Sequence, residues 1–65
     1  MKYYSCSLCE VISSAESWNE FTENEYGSGI GLIQTEEKDE LEYICPNCEK
    51  VCDGKDIKFA WEIDL

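Results

Sequence analysis

The residues in this chain that could do chemistry are cysteines. Cys6-Ser7-Leu8-Cys9 and Cys45-Pro46-Asn47-Cys48 are two C-x-x-C pairs with 35 residues between them, Glu10 to Ile44. Two such pairs in a short chain read as one metal site, because four thiolates can surround a single ion tetrahedrally. A two-residue spacer lets each pair wrap the ion as a tight knuckle whose backbone N–H groups point at sulfur. The long spacer brings the knuckles from opposite ends of the chain, so the ion would staple the fold. Cys6, Cys9, Cys45 and Cys48 are the expected ligands. Zinc is the expected ion, with iron as the alternative, since iron takes the same geometry and adds redox activity.

The alternative, a pair of redox-active dithiols, needs a helix N-terminus in a larger βαβ setting that this chain does not offer. Cys52 is the odd thiol. It could replace a ligand, sit beside the site as a small apolar residue, or remain a spare thiol open to oxidation. Other chemistry is not in view. The chain has no His and no Ser-x-x-Lys or comparable nucleophile–base pattern. A metal with four thiolates leaves no position for water, so no enzyme activity is expected.

The elements that must position the cysteines are short. At 65 residues the chain is expected to form a single domain, residues 1–65, with a small core. A structural zinc contributes roughly 10–16 kcal/mol in small metal-dependent peptides, enough to decide whether such a chain folds. Lys2 to Cys6, with Tyr3 and Tyr4, reads as a strand running into the first knuckle. Ser13-Ser14-Ala15-Glu16 has the Ser-x-x-Glu form of a capping box. Ala15, Trp18, Phe21 and Thr22 then recur at helical intervals, so a short helix near 14–23 is expected, or an irregular loop pinned by Trp18 and Phe21. Gly27-Ser28-Gly29 is a break. Ile30 to Gln34 and Leu41 to Cys45 read as the two strands of a hairpin that delivers Cys45, joined by a solvated turn over Thr35 to Glu40. After the Asp53-Gly54 turn, Ile57 to Ile63 alternates. That puts Ile57, Phe59, Trp61 and Ile63 on one face, expected to supply much of the core. No internal repeat is expected.

Lys2-Tyr3-Tyr4-Ser5-Cys6-Ser7-Leu8-Cys9 resembles the rubredoxin N-terminus, an aromatic strand running into C-x-x-C. Tyr43-Ile44-Cys45-Pro46-Asn47-Cys48 is similar to the second rubredoxin knuckle. The same knuckles occur across the broader zinc-ribbon group. The resemblance covers two windows, about a quarter of the chain. It implies a small, metal-bound, mostly β protein: a rubredoxin-like zinc ribbon with a three-stranded antiparallel sheet. It departs from rubredoxin at Glu10 and Glu49, where Gly is normal because the knuckle wants positive φ. A carboxylate there also disfavours an anionic iron–thiolate centre and its further reduction.

Charge bounds the partners. Fifteen Asp and Glu face five Lys, with no Arg, for a net charge of −10. Such a surface repels nucleic acid and anionic membranes and favours a basic protein partner. The absence of an apolar run before Cys6 and the odd cysteine count point to a reducing, cytoplasmic compartment. The expected function is therefore that of a small acidic zinc protein, an adaptor or regulator acting by protein–protein interaction. Docking would use the acidic surface or the Trp18–Phe21 segment. The rivals are an iron electron carrier of the rubredoxin kind, and an acidic mimic of nucleic-acid charge that inhibits a basic partner through Glu36, Glu37, Asp39 and Glu40.

Overall fold

The computed structural model describes residues 1–27 and 32–63. Two β-hairpins frame it, and each turns on one cysteine pair. β1 (Lys2–Ser5) and β2 (Ile12–Ser14) pair antiparallel on either side of the first pair. β3 (Glu42–Ile44) and β4 (Val51–Asp53) do the same around the second. A fifth strand, β5 (Lys58–Glu62), adds to the other side of β1. The result is a three-stranded antiparallel sheet, β2-β1-β5, and a separate two-stranded ribbon, β3-β4.

The expected three-stranded sheet is present but differently composed. β2 is in it, and the strand leading to Cys45 is not. The pairing expected between residues 30–34 and 41–45 is absent over the part that is described. Ile30 and Gly31 lie outside the described residues. Leu32 to Gln34 form a turn. The reason is local. Ile33 is fully buried, and its N–H goes to the Asn19 side chain at 2.9 Å instead of to a strand. The Thr35 N–H and hydroxyl both close back on the Leu32 carbonyl, at 3.2 and 2.7 Å.

The two hairpins match each other residue for residue, which corrects the reading of no repeat. Tyr4 pairs Ser13 and Ser5 pairs Ile12, while Tyr43 pairs Cys52 and Ile44 pairs Val51. The sequence accordingly reads Tyr-x-Cys-x-x-Cys-Glu-x-Ile/Val twice, from Tyr4 and from Tyr43. Each copy ends on a residue that starts a helical segment. Ser14 caps the helix α1 (Ala15–Tyr26), and Asp53 precedes a 3₁₀ turn, Gly54–Asp56.

α1 starts one residue later than the capping box suggests, because Ser13 is committed to β2. Ser14 Oγ accepts the Ser17 N–H at 3.2 Å. The helix also runs past Glu23 to Tyr26. It ends at Gly27, whose φ of 94° is open to glycine and whose N–H closes on the Glu23 carbonyl. Its buried face is Ala15, Trp18 and Thr22. Trp18 has no exposed surface, and its indole N–H donates to the Tyr4 carbonyl at 3.2 Å. The Trp18–Phe21 segment therefore cannot dock a partner through Trp18, which is core. Thr22 joins helix to ribbon: its hydroxyl donates to the Trp18 carbonyl at 2.7 Å and accepts the Ile44 N–H at 3.0 Å.

The aromatic face expected of the last strand is not the core. Ile57 is buried, but Phe59, Trp61 and Ile63 are 53, 48 and 39 % exposed. Tyr4 pairs Phe59 and Tyr3 pairs Trp61, so Ala60 is an extra residue and the register shifts there. Paired residues share a sheet face, and neighbours in a strand take opposite faces. Phe59 thus joins Tyr4 (rings 5.8 Å apart, edge-on) and Trp61 joins Tyr3 (also 5.8 Å) on the other face. The bulge breaks the alternation that the sequence suggests. The core is built instead from Tyr4, Ala15, Trp18, Ile33, Tyr43 and Ile57 around the buried cysteines.

The acidic turn is also more than a solvated loop. Glu36–Glu40 is a 3₁₀ turn, and the Lys38 ammonium reaches the Gly54 carbonyl and, at 2.7 Å, the Ile57 carbonyl. Gly54 is pressed against this turn, its N–H donating to the Leu41 carbonyl at 2.8 Å. A Cβ on Gly54 would lie 1.7 Å from the Lys38 carbonyl oxygen. Gly54→Ala is expected to cost about 3 kcal/mol of unfolding free energy in the metal-loaded protein, since backbone must move. Denaturant unfolding checks this; a loss under about 1 kcal/mol would show that the turn gives way.

Candidate metal centre

The hairpins position the cysteines by the same device twice. In the first, the Glu10 N–H donates to the Cys6 carbonyl at 3.0 Å and the Cys6 N–H to the Val11 carbonyl at 3.1 Å. In the second, Glu49 donates to Cys45 at 2.9 Å and Cys45 to Lys50 at 3.1 Å. These bonds curl the backbone so that amides inside the turn face the leading sulfur. Leu8 and Cys9 N–H groups lie 3.3 and 3.4 Å from Cys6 Sγ; Asn47 and Cys48 N–H groups both lie 3.4 Å from Cys45 Sγ. The Asn47 side chain crosses over and donates to Cys9 Sγ at 3.5 Å.

The curl requires a left-handed residue after each pair. Glu10 and Glu49 have φ of 64° and 58°, and they are the only non-glycine residues at positive φ among those described. The positions where the rubredoxin resemblance puts Gly thus keep the Gly conformation with a Glu in it. That conformation costs an L-residue roughly 1–2 kcal/mol, and it is adopted in both hairpins alike.

The four sulfurs of Cys6, Cys9, Cys45 and Cys48 come together, all within 4.8 Å of one another. Cys6 Sγ is 3.8 Å from Cys48 Sγ, and Cys9 Sγ is 3.6 Å from Cys45 Sγ. A tetrahedral ion with metal–sulfur bonds of about 2.3 Å needs ligand sulfurs about 3.8 Å apart. The donor set and its spacing therefore fit one tetrahedral, thiophilic ion. Cys6 and Cys45, the leading residues, are buried; Cys9 and Cys48 are half-buried. All five cysteines are free of disulfides. Cys52, which the sequence leaves open between ligand, packing residue and spare thiol, is buried against the cluster with its Sγ 3.6 Å from Cys6 Sγ.

Ionisation of the cluster is uneven. Burial works against a Cys6 thiolate, but the Cys9 and Leu8 amides and the neighbouring thiols outweigh it and bring Cys6 down to about 6. The Val11 amide and the Asn47 side chain lower Cys9. Burial pushes Cys45 up to about 12, against its own two amides, and Cys48 and Cys6 add to the rise. Burial likewise pushes Cys52 up to about 12, with Cys6 beside it. Thiolate is thus favoured in the first knuckle, at Cys6 and Cys9, and disfavoured at Cys45 and Cys52. Only a cation lets all four ligands ionise together.

No family model matches this chain. No curated protein and no solved structure is similar to it either. The reading of the centre therefore rests on its own geometry. No described helix is long and apolar enough to cross a membrane.

Glu10→Gly and Glu49→Gly are each expected to stabilise the metal-loaded protein by about 0.5–1 kcal/mol, relieving the left-handed strain less the entropy Gly adds to the unfolded chain. Thermal unfolding of the single and double variants checks this. A clear loss of stability in either would mean the carboxylate itself is holding the knuckle.

Proposed function

We propose that this chain is a small zinc protein whose ion is structural and whose work is to bind a basic protein partner. The observation that carries the metal half is the convergence of four cysteine sulfurs within 4.8 Å on two equivalent knuckles. When bound, the ion would neutralise the thiolates and fasten the first hairpin to the second. A four-sulfur shell leaves no site for water or substrate, which supports a non-catalytic role. The Glu10 and Glu49 carboxylates beside the knuckles favour redox-inert zinc over an iron centre that must accept an electron. Five unpaired thiols suit a reducing compartment such as the cytoplasm.

The partner half rests on charge and shape. Glu16, Glu20 and Glu23 of α1 and Glu62 of β5 line an open groove of about 580 Å³, in which Lys2 is the one cationic side chain among the lining residues, beside the Met1 ammonium. With a net charge of −10 behind it, this groove suits lysine- or arginine-bearing segments. The same groove gives a charge mimic a place to act, so an adaptor and an inhibitor differ in the partner rather than in the surface.

Two measurements test the halves separately. Protein purified from cells given both iron and zinc is expected to hold one zinc per chain, to be colourless, and to unfold when the metal is chelated. One iron per chain, red and reversibly bleached by reductant, would replace the reading with an electron carrier. For the partner, a lysine- and arginine-rich peptide titrated into labelled protein is expected to shift the amides of Glu16, Glu20, Glu23 and Glu62. The shifts should weaken several-fold between about 50 and 300 mM salt, as screening requires. Shifts centred instead on Glu36 to Glu40 would move the docking surface to the acidic turn.

A further inference from the structure

The two knuckles are equivalent in backbone but not at sulfur. Cys45 Sγ faces two amides, those of Asn47 and Cys48. Cys6 Sγ faces the matching two, from Leu8 and Cys9, and in addition the Cys52 sulfur at 3.6 Å. Cys52 comes from the other hairpin, where it pairs Tyr43; its counterpart in the first hairpin is Ser13, which pairs Tyr4. Ser13 makes no hydrogen bond to Cys45 among the described residues. The extra contact on Cys6 is therefore specific to one side of the cluster. Both partners are almost fully buried, Cys6 at 2 % and Cys52 at 3 % exposure, so water does not compete for it. Cys52 also stands outside the set of four whose sulfurs all approach one another within 4.8 Å. Among the described residues, the Lys50 carbonyl at 3.7 Å is the other acceptor within reach of the Cys52 S–H, and Cys6 Sγ at 3.6 Å is the nearer of the two.

We propose that Cys52 is a positioning residue of the metal centre, its thiol donating S–H to the Cys6 sulfur across the two hairpins. This rests on the reading of the four cysteines as metal ligands. A metal-bound Cys6 carries no proton, so of the two sulfurs only Cys52 can be the donor. The bond withdraws charge from one ligand of an anionic centre and ties β4 to the first knuckle independently of the ion. A partner of this kind acts on metal affinity through the ligand it orients.

The test loads wild type, Cys52→Ala, Cys52→Val and Cys52→Ser with Co²⁺ under reductant. Affinity is measured by competition, and the sulfur-to-cobalt charge-transfer band is recorded. In wild type the band should have four-thiolate intensity. In the Ala and Val variants it should keep that intensity, move to lower energy as the sulfur loses its donor, and accompany about a tenfold loss of affinity. Ser, which can donate O–H, should recover most of both. The Val variant fills the space without a donor, so a wild-type band and affinity in Val would overturn the proposal in favour of simple packing. A fall of about a quarter in intensity in Ala or Val would overturn it by making Cys52 a ligand. A wild-type chain that takes up no cobalt would overturn the metal reading itself, and this inference with it.

Discussion

Four thiolates in one small, largely buried space cannot coexist without a cation, and the rest of this structure depends on that constraint. The amides of the first knuckle favour thiolate at Cys6 and Cys9, while burial, with Cys6 beside them, works against it at Cys45 and Cys52. A divalent ion would remove the conflict and convert it into cohesion. The cohesion falls where the chain has least of its own. The first hairpin is held in a sheet with β5, the second stands apart as a ribbon, and the sulfur cluster lies where they meet. Helix α1 supplies a further bridge, with Trp18 bonded to β1 and Thr22 bonded to β3.

The same local solution is used twice, which explains features that look unrelated along the chain. Tyr4 and Tyr43 are buried two residues before the leading cysteine of each pair, and Glu10 and Glu49 take the left-handed turn just after the second. Ser14 and Asp53 then start a helical segment, long in one copy and a single 3₁₀ turn in the other. The copies diverge where each meets the rest of the protein. Ser13 pairs Tyr4 just before a long helix, while Cys52 is turned toward the opposing knuckle. A duplicated frame with one altered side chain is a direct way to make two equivalent ligands unequal.

Much of the site was legible in the sequence, because C-x-x-C spacing is itself geometry. The first strand, the helix and the last strand were legible from residue type and period. What was not legible depended on contacts across the chain. Asn19 takes the Ile33 amide and so removes the strand expected before the acidic turn. An extra residue at Ala60 sends Phe59 and Trp61 to opposite faces, and no period read along β5 alone can reveal a bulge against β1. Trp18, flanked by glutamates, reads equally as a docking residue or as core, and only the Tyr4 carbonyl beneath it decides. β2 and β4 are three residues each, too short for any pattern, and exist because the knuckles impose their register. The repeat was visible in principle as Tyr-x-Cys-x-x-Cys-Glu, but its intervening residues differ and it gains meaning only when the pairings coincide.

The acidity of α1 is hard to explain as a means of stabilising the helix. Glu16 and Glu20 are four residues apart and Glu20 and Glu23 three, so like charges neighbour one another on its surface. No basic residue lies in its last turn, where one would complement the carbonyl end, and Glu23 and Glu25 lie near that end instead. Each such placement costs the helix some tenths of a kcal/mol. Burial of Trp18 and Ala15, the Ser14 cap and the Gly27 terminus must offset them. The pattern weakens its own element and gathers along one groove that Glu62 also lines. On the proposed reading, a cationic partner supplies the charges that the helix lacks. On that same reading a bound ion would have a second use: by fastening the hairpins it would leave α1's outer face free to be chosen for binding rather than for folding.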